Sequence, residues 1–527
     1  MSDRREQLRA TFLAAIMVIS MIAMGAVGFA GTAAAEEHDG VLTVDDDFED
    51  PGEYQFTSIQ EAINNAEEGD TIEVEDGTYE ESVTINKTDL TLEAAEGATP
   101  IVGESGEIPV LVDEAEDVTV EEDDFEFLSG IDVGADDVGV DEYPDVNADE
   151  FDFAVTEDGG VPDEGSFDEG DVFENIDAAT DEAEQDESIL VFAGEYDFEG
   201  ALNDDDRAEG LEIVSFAGPG ETDIVEVDGD RGISLREDGM VLQGFTITDE
   251  VQSTGDEMIN IRGNDVEVRH NVIEEDVSVG SHALRSSSIS GGESGVVIDS
   301  NEFNTDNRGL SFTGENGPHE DLTITNNVIT GEVANHSVAV GDATDEIVVK
   351  SNEFLGDVDG DSLVITGDSG GVDNLEITNN VMTGEGTQRH VVVSGANSPE
   401  ITDNTIRNSE SAGIQLSADI DTEEPVDNAI VTGNLITGNK DGLVLFDGEG
   451  REGSNIDELN NNHIVNSERD AIANIGTDTT IDANDNWFGD SNFGDTSDLD
   501  GLLFEDDGTI DITQWAGAPI DPDASDD

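Results

Sequence analysis

A six-residue pattern, apolar-x-x-Asn-x-apolar, recurs through the second half of the chain at intervals that leave few folds open. Its copies are Val268/Asn271/Ile273, Ile298/Asn301/Phe303, Ile324/Asn327/Ile329, Val349/Asn352/Phe354, Ile377/Asn380/Met382, Ile401/Asn404/Ile406, Val431/Asn434/Ile436 and Leu459/Asn462/Ile464. A frayed copy at Ile481/Asn484 runs into Asn486-Trp487-Phe488-Gly489. Successive asparagines lie 30, 26, 25, 28, 24, 30, 28 and 22 residues apart. A period in this range marks a solenoid. Short Val/Ile strands separated by Gly, Asn, Asp and Thr fit the coils of a parallel β-helix. The Leu signature of leucine-rich repeats and the long apolar-periodic segments of helical repeats are missing. Coils stack about 4.8 Å apart, so an Asn at a fixed corner can donate to one neighbour and accept from the other, as Asn ladders do elsewhere. Asn also tolerates the left-handed backbone of a sharp corner. Asn271, Asn301, Asn327, Asn352, Asn380, Asn404, Asn434 and Asn462 are therefore read as a structural ladder.

Upstream, residues 56–79 and 173–196 align without a gap at an offset of 117, with Phe56/Phe173, Ile59/Ile176, Ala62/Ala179, Ala66/Ala183, Ile72/Ile189, Val74/Val191, Gly77/Gly194 and Tyr79/Tyr196 identical. In each copy a helical apolar period gives way to alternation, then to a Gly turn and Tyr. Helix, strand and turn make a unit able to cap the raw edge of a stack. The expected organisation is all-β: a short first module with a helical cap (36–144), an acidic linker or loop (145–170), the main parallel β-helix (171–515) and an acidic tail (516–527).

The Asn register, the segments Ser58-Ile59-Gln60-Glu61-Ala62-Ile63 and Gly77-Thr78-Tyr79, and Val241-Leu242-Gln243-Gly244-Phe245-Thr246-Ile247 together resemble the right-handed parallel β-helix repeat superfamily, which includes pectate lyases, polygalacturonases and NosD-like repeat proteins. The resemblance spans about residues 41–490. It implies a right-handed solenoid, and, where members act on polysaccharides, a groove along one face with paired carboxylates, or Arg and Ca²⁺, at its centre. One fold of this kind hosts many activities.

Charge narrows the partners. The chain holds 131 Asp+Glu against 17 Lys+Arg, a net −114, and no cysteine. Such a surface repels phosphate backbones, which argues against nucleic acid, and anionic membrane faces. Without Cys there are no disulfides, thiol nucleophiles or iron–sulfur clusters. Regular apolar strands inside so acidic a chain fit a folded protein in molar salt, where the screening length falls to about 3 Å. Residues 1–35 read as an export signal: Arg4, Arg5 and Arg9, an uncharged stretch, then Ala33-Ala34-Ala35. The run from Gln7 to Ala35 resembles the signal of haloarchaeal surface glycoproteins. This resemblance implies a secreted or cell-surface product of a halophilic archaeon, associated with surface-layer proteins; cleavage of the signal is expected to leave no membrane span.

Among so many acids, paired carboxylates arise by chance, so the scarce cations and histidines say more. His336 follows Asn327 by nine residues, Asp361 follows Asn352 by nine, and Arg389 follows Asn380 by nine. Arg308 precedes the corresponding strand one coil earlier. The register predicts that Arg308, His336, Asp361 and Arg389 form one column over four coils, able to hold a uronate carboxylate and move a proton, or else serving as charge pairs on a solvated face. Asn304-Thr305-Asp306 matches one polygalacturonase motif, but Gly-His-Gly and Arg-Ile-Lys are missing. Gly317-Pro318-His319-Glu320 is a degenerate form of the epimerase Asp-Pro-His-Asp, which makes His319 a candidate acid/base. Asp357, Asp359 and Asp361 have the i, i+2, i+4 spacing of a Ca²⁺ loop, with Ser362 where the turn Gly belongs. Ca²⁺ is thus the one cofactor suggested. Asn86 and Asn335 open glycosylation sequons.

Three roles stay open: a surface or matrix solenoid binding glycans or neighbouring proteins; a lyase, hydrolase or epimerase acting on acidic polysaccharide; and a Ca²⁺-dependent adhesive module. Few aromatic platforms for sugar stacking are expected, with no Tyr after Tyr196 and only Trp487 and Trp515.

Overall fold

A computed structural model of the chain describes residues 41–512 with interruptions, the longest at 128–142 and 489–502. The expected signal (1–35), the sequon at Asn86 and the tail (516–527) lie outside the described residues. Strands dominate. Among the described residues there are two α-helices, α1 (Ile59–Asn65) and α2 (Ile176–Glu182). Seven residues are too few to hold a helix by propensity alone. Each is closed by a side-chain cap, Ser58 Oγ accepting from Glu61 N (3.3 Å) and Asn175 Oδ1 accepting from Ala178 N (2.8 Å), and each buries an apolar stripe: Ile59, Ala62 and Ile63, or Ile176 and Ala179.

The duplication is physical. Tyr79 Oη donates to Glu75 O (3.0 Å), and Tyr196 Oη donates to Phe192 O (2.9 Å), the same bond 117 residues on. It also begins earlier than the alignment suggests. Val41–Val44 pairs with Thr71–Val74, and Phe153–Val155 pairs with Ser188–Val191 in the same register. The segment 145–170, expected as linker or loop, therefore supplies a strand of the main sheet. Asp152 Oδ2 anchors it by accepting from Ser188 N and Oγ (3.1 and 3.2 Å). A longer connection in the second copy hides the equivalence from an ungapped comparison. Among the described residues, the strands from Val41 to Phe127 pair only with one another, apart from the main stack.

The main stack has three faces per coil. Face one holds strands such as Glu267–Arg269 and Val297–Asp299. Face two follows the Asn corner, as in Val272–Glu275 and Glu302–Thr305. Face three holds His282–Ser286, Leu310–Phe312 and their successors. Faces one and three merge into a 25-stranded sheet, and face two forms an 11-stranded one. They merge because the chain can pass from face three to face one without leaving the extended conformation, as His336–Lys350 does in one strand. Pairing is parallel throughout the described strands, so like residues stack: Val268–Ile298–Ile324–Val349–Ile377 inside face one, Leu284–Leu310–Val338–Leu363–Val391 inside face three. These files are 0–1% exposed and form one continuous core.

The ladder stands as expected. Asn327 N and Nδ2 both donate to Asn352 Oδ1 (3.0 and 2.9 Å), and Nδ2 also reaches the carbonyls of Ile298 and Thr325 (2.9 and 2.7 Å). The same set repeats from Asn271 to Asn462. Two details differ. The last rung is Asn486, which accepts from Asn462 (3.0 and 2.9 Å), while Asn484 is half-buried and bonds locally to Asp482. And the left-handed residue is the one before each ladder Asn (His270, Ser300, Asn326, Ser351, Asn379, Asp403, φ 52–56°), so the ladder Asn bridges the corner without taking its strain. A second, shorter ladder runs where face two turns to face three: buried Asn439 accepts from Ser409 N (2.9 Å) and donates to Ile406 O and Thr437 O.

Candidate functional site

Strand register brings the four column residues together. His336 pairs with Asp361 and Asp361 with Arg389. Leu310 pairs with Val338, which sets Arg308 on the rung before His336. The same file continues upward through His282 and Glu257. These residues begin the face-three strands, and in three coils the position after them is small, as Gly309, Ser337 and Ser362, whereas His390 follows Arg389. A Cβ on Gly309 would run into the Ser337 carbonyl oxygen, so the coils can close tightly here only with a small residue.

Along the file the charges are unequally committed. Asp361 is buried, and Arg389 grips it with both forks, Nε to Oδ1 and Nη2 to Oδ2, each 2.7 Å. Such bidentate pairing is strong and orienting. His336 Nδ1 lies 3.9 Å from Asp361 Oδ2, outside hydrogen-bond reach. Its pKa is lowered: burial disfavours the imidazolium more than Asp361 favours it, and Arg389 and Arg308 push the same way. Neutral imidazole, able to accept a proton, is the form this setting favours. Arg308 is exposed, and its Nη1 sits 3.4 Å from His282 Nε2. Among the described residues Arg308 has no carboxylate within ion-pair distance, in a chain where acids outnumber bases 131 to 17. Arg285, one strand earlier, is half-buried 3.9 Å from buried Glu257, which also accepts from Asn260 Nδ2.

A cavity of about 470 Å³ opens on this part of face three, lined by His282, Arg285, Arg308, Ser311, Asn335 and His336 together with Leu310, Thr313, Ala339, Val340, Val364 and Thr366. Among the described residues no Asp or Glu lines it. His282 and Arg285 escaped the sequence reading because their coil lacks the nine-residue spacing from the ladder Asn, and Glu257 because it precedes Asn271, the first of the ladder. Counting backwards along the strand from Leu284 would have found the first of them.

The other predicted site residues fall elsewhere. His319 starts a face-one strand, 2% exposed, its ring edge-on to Phe312 at 6.2 Å. It does not line the cavity, so the acid/base role is not supported. The Ca²⁺ loop does not assemble either. Both oxygens of Asp361 are held by Arg389, Asp359 is exposed, and Asp357 lies in a short strand paired with Glu332–Val333. Among the described residues no group of three or more His, Asp or Glu gathers as a metal site. Asn335, the second sequon, lines the cavity itself, and its carbonyl accepts from Asp361 N (3.1 Å).

Beside the column, His390 is fully buried. Its Nδ1 meets Ser362 Oγ (2.9 Å), and its Nε2 faces the Arg407 carbonyl, which makes Nε2 the protonated nitrogen and Nδ1 the acceptor. Burial lowers its pKa to about 4. A folded value below the unfolded one means that the unfolded chain takes up a proton the folded chain refuses, so stability falls as pH drops from about 6.5 to about 4. The expected loss is about 3 kcal/mol. Urea melts of the wild type and His390→Gln at pH 7 and pH 4.5 check this. Most of that amount should vanish from the difference between them, and a pH-independent difference would contradict the assignment.

No curated protein matches the sequence. Among solved structures, the A-module of a mannuronan C-5 epimerase from Azotobacter vinelandii is similar at 15% identity, covering 69% of this chain and 99% of that one, with a TM-score of 0.38. A family 6 polysaccharide lyase from Pseudopedobacter saltans is similar at 12% identity, 66% and 97% coverage and a TM-score of 0.26. A family 28 exopolygalacturonase from Yersinia enterocolitica is similar at 12% identity, 87% and 74% coverage and a TM-score of 0.23. All three are remote. Residues 308–488, which hold the column and most of the ladder, match the family model described as a right handed beta helix region.

Proposed function

We propose that face three binds an acidic polysaccharide and acts on it by proton transfer beside a uronate carboxylate, as a lyase or an epimerase does. The observation that carries this is Arg308: an exposed guanidinium that, among the described residues, meets no carboxylate, set between two imidazoles in a cavity whose described lining holds no acid, on an otherwise intensely acidic chain. A uronate carboxylate is a fitting counter-charge. Paired with Arg308, it would make the neighbouring ring C–H more acidic, and neutral His336 is placed to take that proton. Departure of the glycosidic oxygen, taking its proton from the His336 imidazolium or from water, would give elimination; protonation of the carbanion by water from the opposite face, with His336 passing its proton to solvent, would give epimerisation. Hydrolysis by two carboxylates needs an acid pair across the scissile bond, and none is among the described residues that line the cavity.

The second reading, a surface component that binds glycan without turnover, is favoured by one observation: His282 already accepts from Arg308, so His336 has no evident acid partner across the cavity. Export and a molar-salt medium, expected from residues 1–35 and the acid excess, belong to this proposal. The test is incubation of the mature chain in molar salt with pectate, alginate and neutral glucan, following unsaturated-uronate absorbance, reducing ends and exchange of ring protons with solvent. Turnover of an acidic glycan alone supports the first reading, and binding without turnover supports the second. Equal treatment of neutral glucan, or no binding at all, overturns both.

A further inference from the structure

The cavity occupies only the upper half of face three, and what lies below it in register is chemically distinct from the rest of the surface. Below Arg389 the strand-start file continues as Ala412, Asp441 and Asp470. Asp441 is 1% exposed and is gripped by Arg469 through both Nε (2.7 Å) and Nη2, as Asp361 is by Arg389. Arg469 also lies 3.2 Å from Asp470, yet its side chain stays 55% exposed. Arginines thus recur beside the first, fourth and seventh of the rungs that begin at Arg308.

The outward positions beyond these file residues change character as well. The file that is Arg285 and Ser311 near the cavity becomes Val392, Gln415, Val444, Ala473 and Phe504. Two residues further along the strands, Ser394 and Ser417 give way to Phe446 and Ile475. Phe446 and Phe504 are 38% and 44% exposed, two of only four large apolar side chains that stand exposed among the described residues. By register Phe446 adjoins Ile475 and Phe504 adjoins Ala473, so with Val444 they make a contiguous apolar strip, and such strips on a polar surface mark interaction sites. Here they continue the face that carries the cations.

We infer that the glycan site runs down face three from the cavity to the last coil, with Phe446 and Phe504 as sugar-stacking platforms and Arg469 as a further carboxylate contact. The occupant is the same acidic glycan, lying along the solenoid axis. This rests on the reading of the cavity given above and adds direction and length to it. Sugar rings present C–H faces that pack on aromatic rings, while a uronate edge meets the guanidinium groups. Seven steps separate the Arg308 rung from the Phe504 rung, about 34 Å at about 4.8 Å per step. A ligand that spans this length meets the cavity and both rings, and one that fits inside the cavity meets neither ring.

Calorimetric titration of the full chain with size-fractionated oligouronates from pectate and alginate tests the inference. One fraction is shorter than the cavity and one longer than about 34 Å. The long fraction is expected to bind the wild type at least about tenfold tighter, and the Phe446→Ala/Phe504→Ala double variant should bind both fractions with the short-fraction affinity. Both rings are exposed, so an unchanged thermal melt is the control for folding. Equal affinity for the two fractions in the wild type, or a length dependence that survives the double substitution, would end the site at the cavity while leaving the proposed function standing. Failure of both fractions to bind would remove the inference and the reading beneath it together.

Discussion

Asn352→Leu is expected to destabilise the stack by about 2–4 kcal/mol, although Leu fills a similar volume, because the asparagine closes a buried set of bonds that Leu cannot make. Its Oδ1 accepts from Asn327 N and Nδ2, and its Nδ2 donates to Ile324 O, Lys350 O and Asn380 Oδ1. The backbone N–H of Asn327 would be left without its acceptor inside the corner, at 0% exposure. Replacing one partner of a buried pair costs more than the pair itself contributes. Because each coil rests on the next, the loss should show as a lower denaturation midpoint and as faster amide exchange centred on residues 324–328 and 352–354. Asn484→Leu, at the half-buried position outside the ladder, where the side chain bonds locally to Asp482, should cost much less, about 1 kcal/mol at most. Equal effects of the two substitutions would contradict the ladder's role.

Arg308→Ala should reduce affinity for an acidic glycan by about a hundredfold or more, the scale of losing a charge-assisted contact in a partly desolvated site. The thermal melt should stay put, because Arg308 is exposed and holds no carboxylate among the described residues. Arg308→Lys should recover part of the affinity, since it restores the charge but not the planar fork. Arg389→Ala makes the contrast. It strips the buried Asp361 of its bidentate partner, so stability should fall along with binding. A protein in which Arg308→Ala lowers the melt while leaving glycan affinity unchanged would have Arg308 as a structural residue and no site at the cavity.

The architecture was legible because its cause is periodic. A parallel stack repeats one corner in every coil, so Asn327, Asn352 and Asn380 mark the coils by their spacing alone, and the nine-residue offset carries the register on to His336, Asp361 and Arg389. What escaped was whatever broke the period. The strand Phe153–Val155 was hidden by a longer loop in the second copy of the duplication. Asn486 took the last rung from Asn484 because the final corner is reached two residues late. His282 and Arg285 lie in a coil whose loops differ in length. His319 and the 357–361 carboxylates were singled out by local motif, which carries no information about facing direction. The fold buried His319 against Phe312 and spent both oxygens of Asp361 on Arg389. Phe446 and Phe504 look like ordinary strand residues in sequence, and only the register shows that they point out from the same face as the arginines.

The most direct measurement is a crystal structure of the mature chain, grown in high salt, with a bound oligouronate long enough to span the face. The account predicts a ligand carboxylate within hydrogen-bonding distance of the Arg308 guanidinium, its ring beside the His336 imidazole, and the chain of sugars running down across the coils of face three. A ligand seated on face one or face two, or one that leaves Arg308 in solvent, would contradict it.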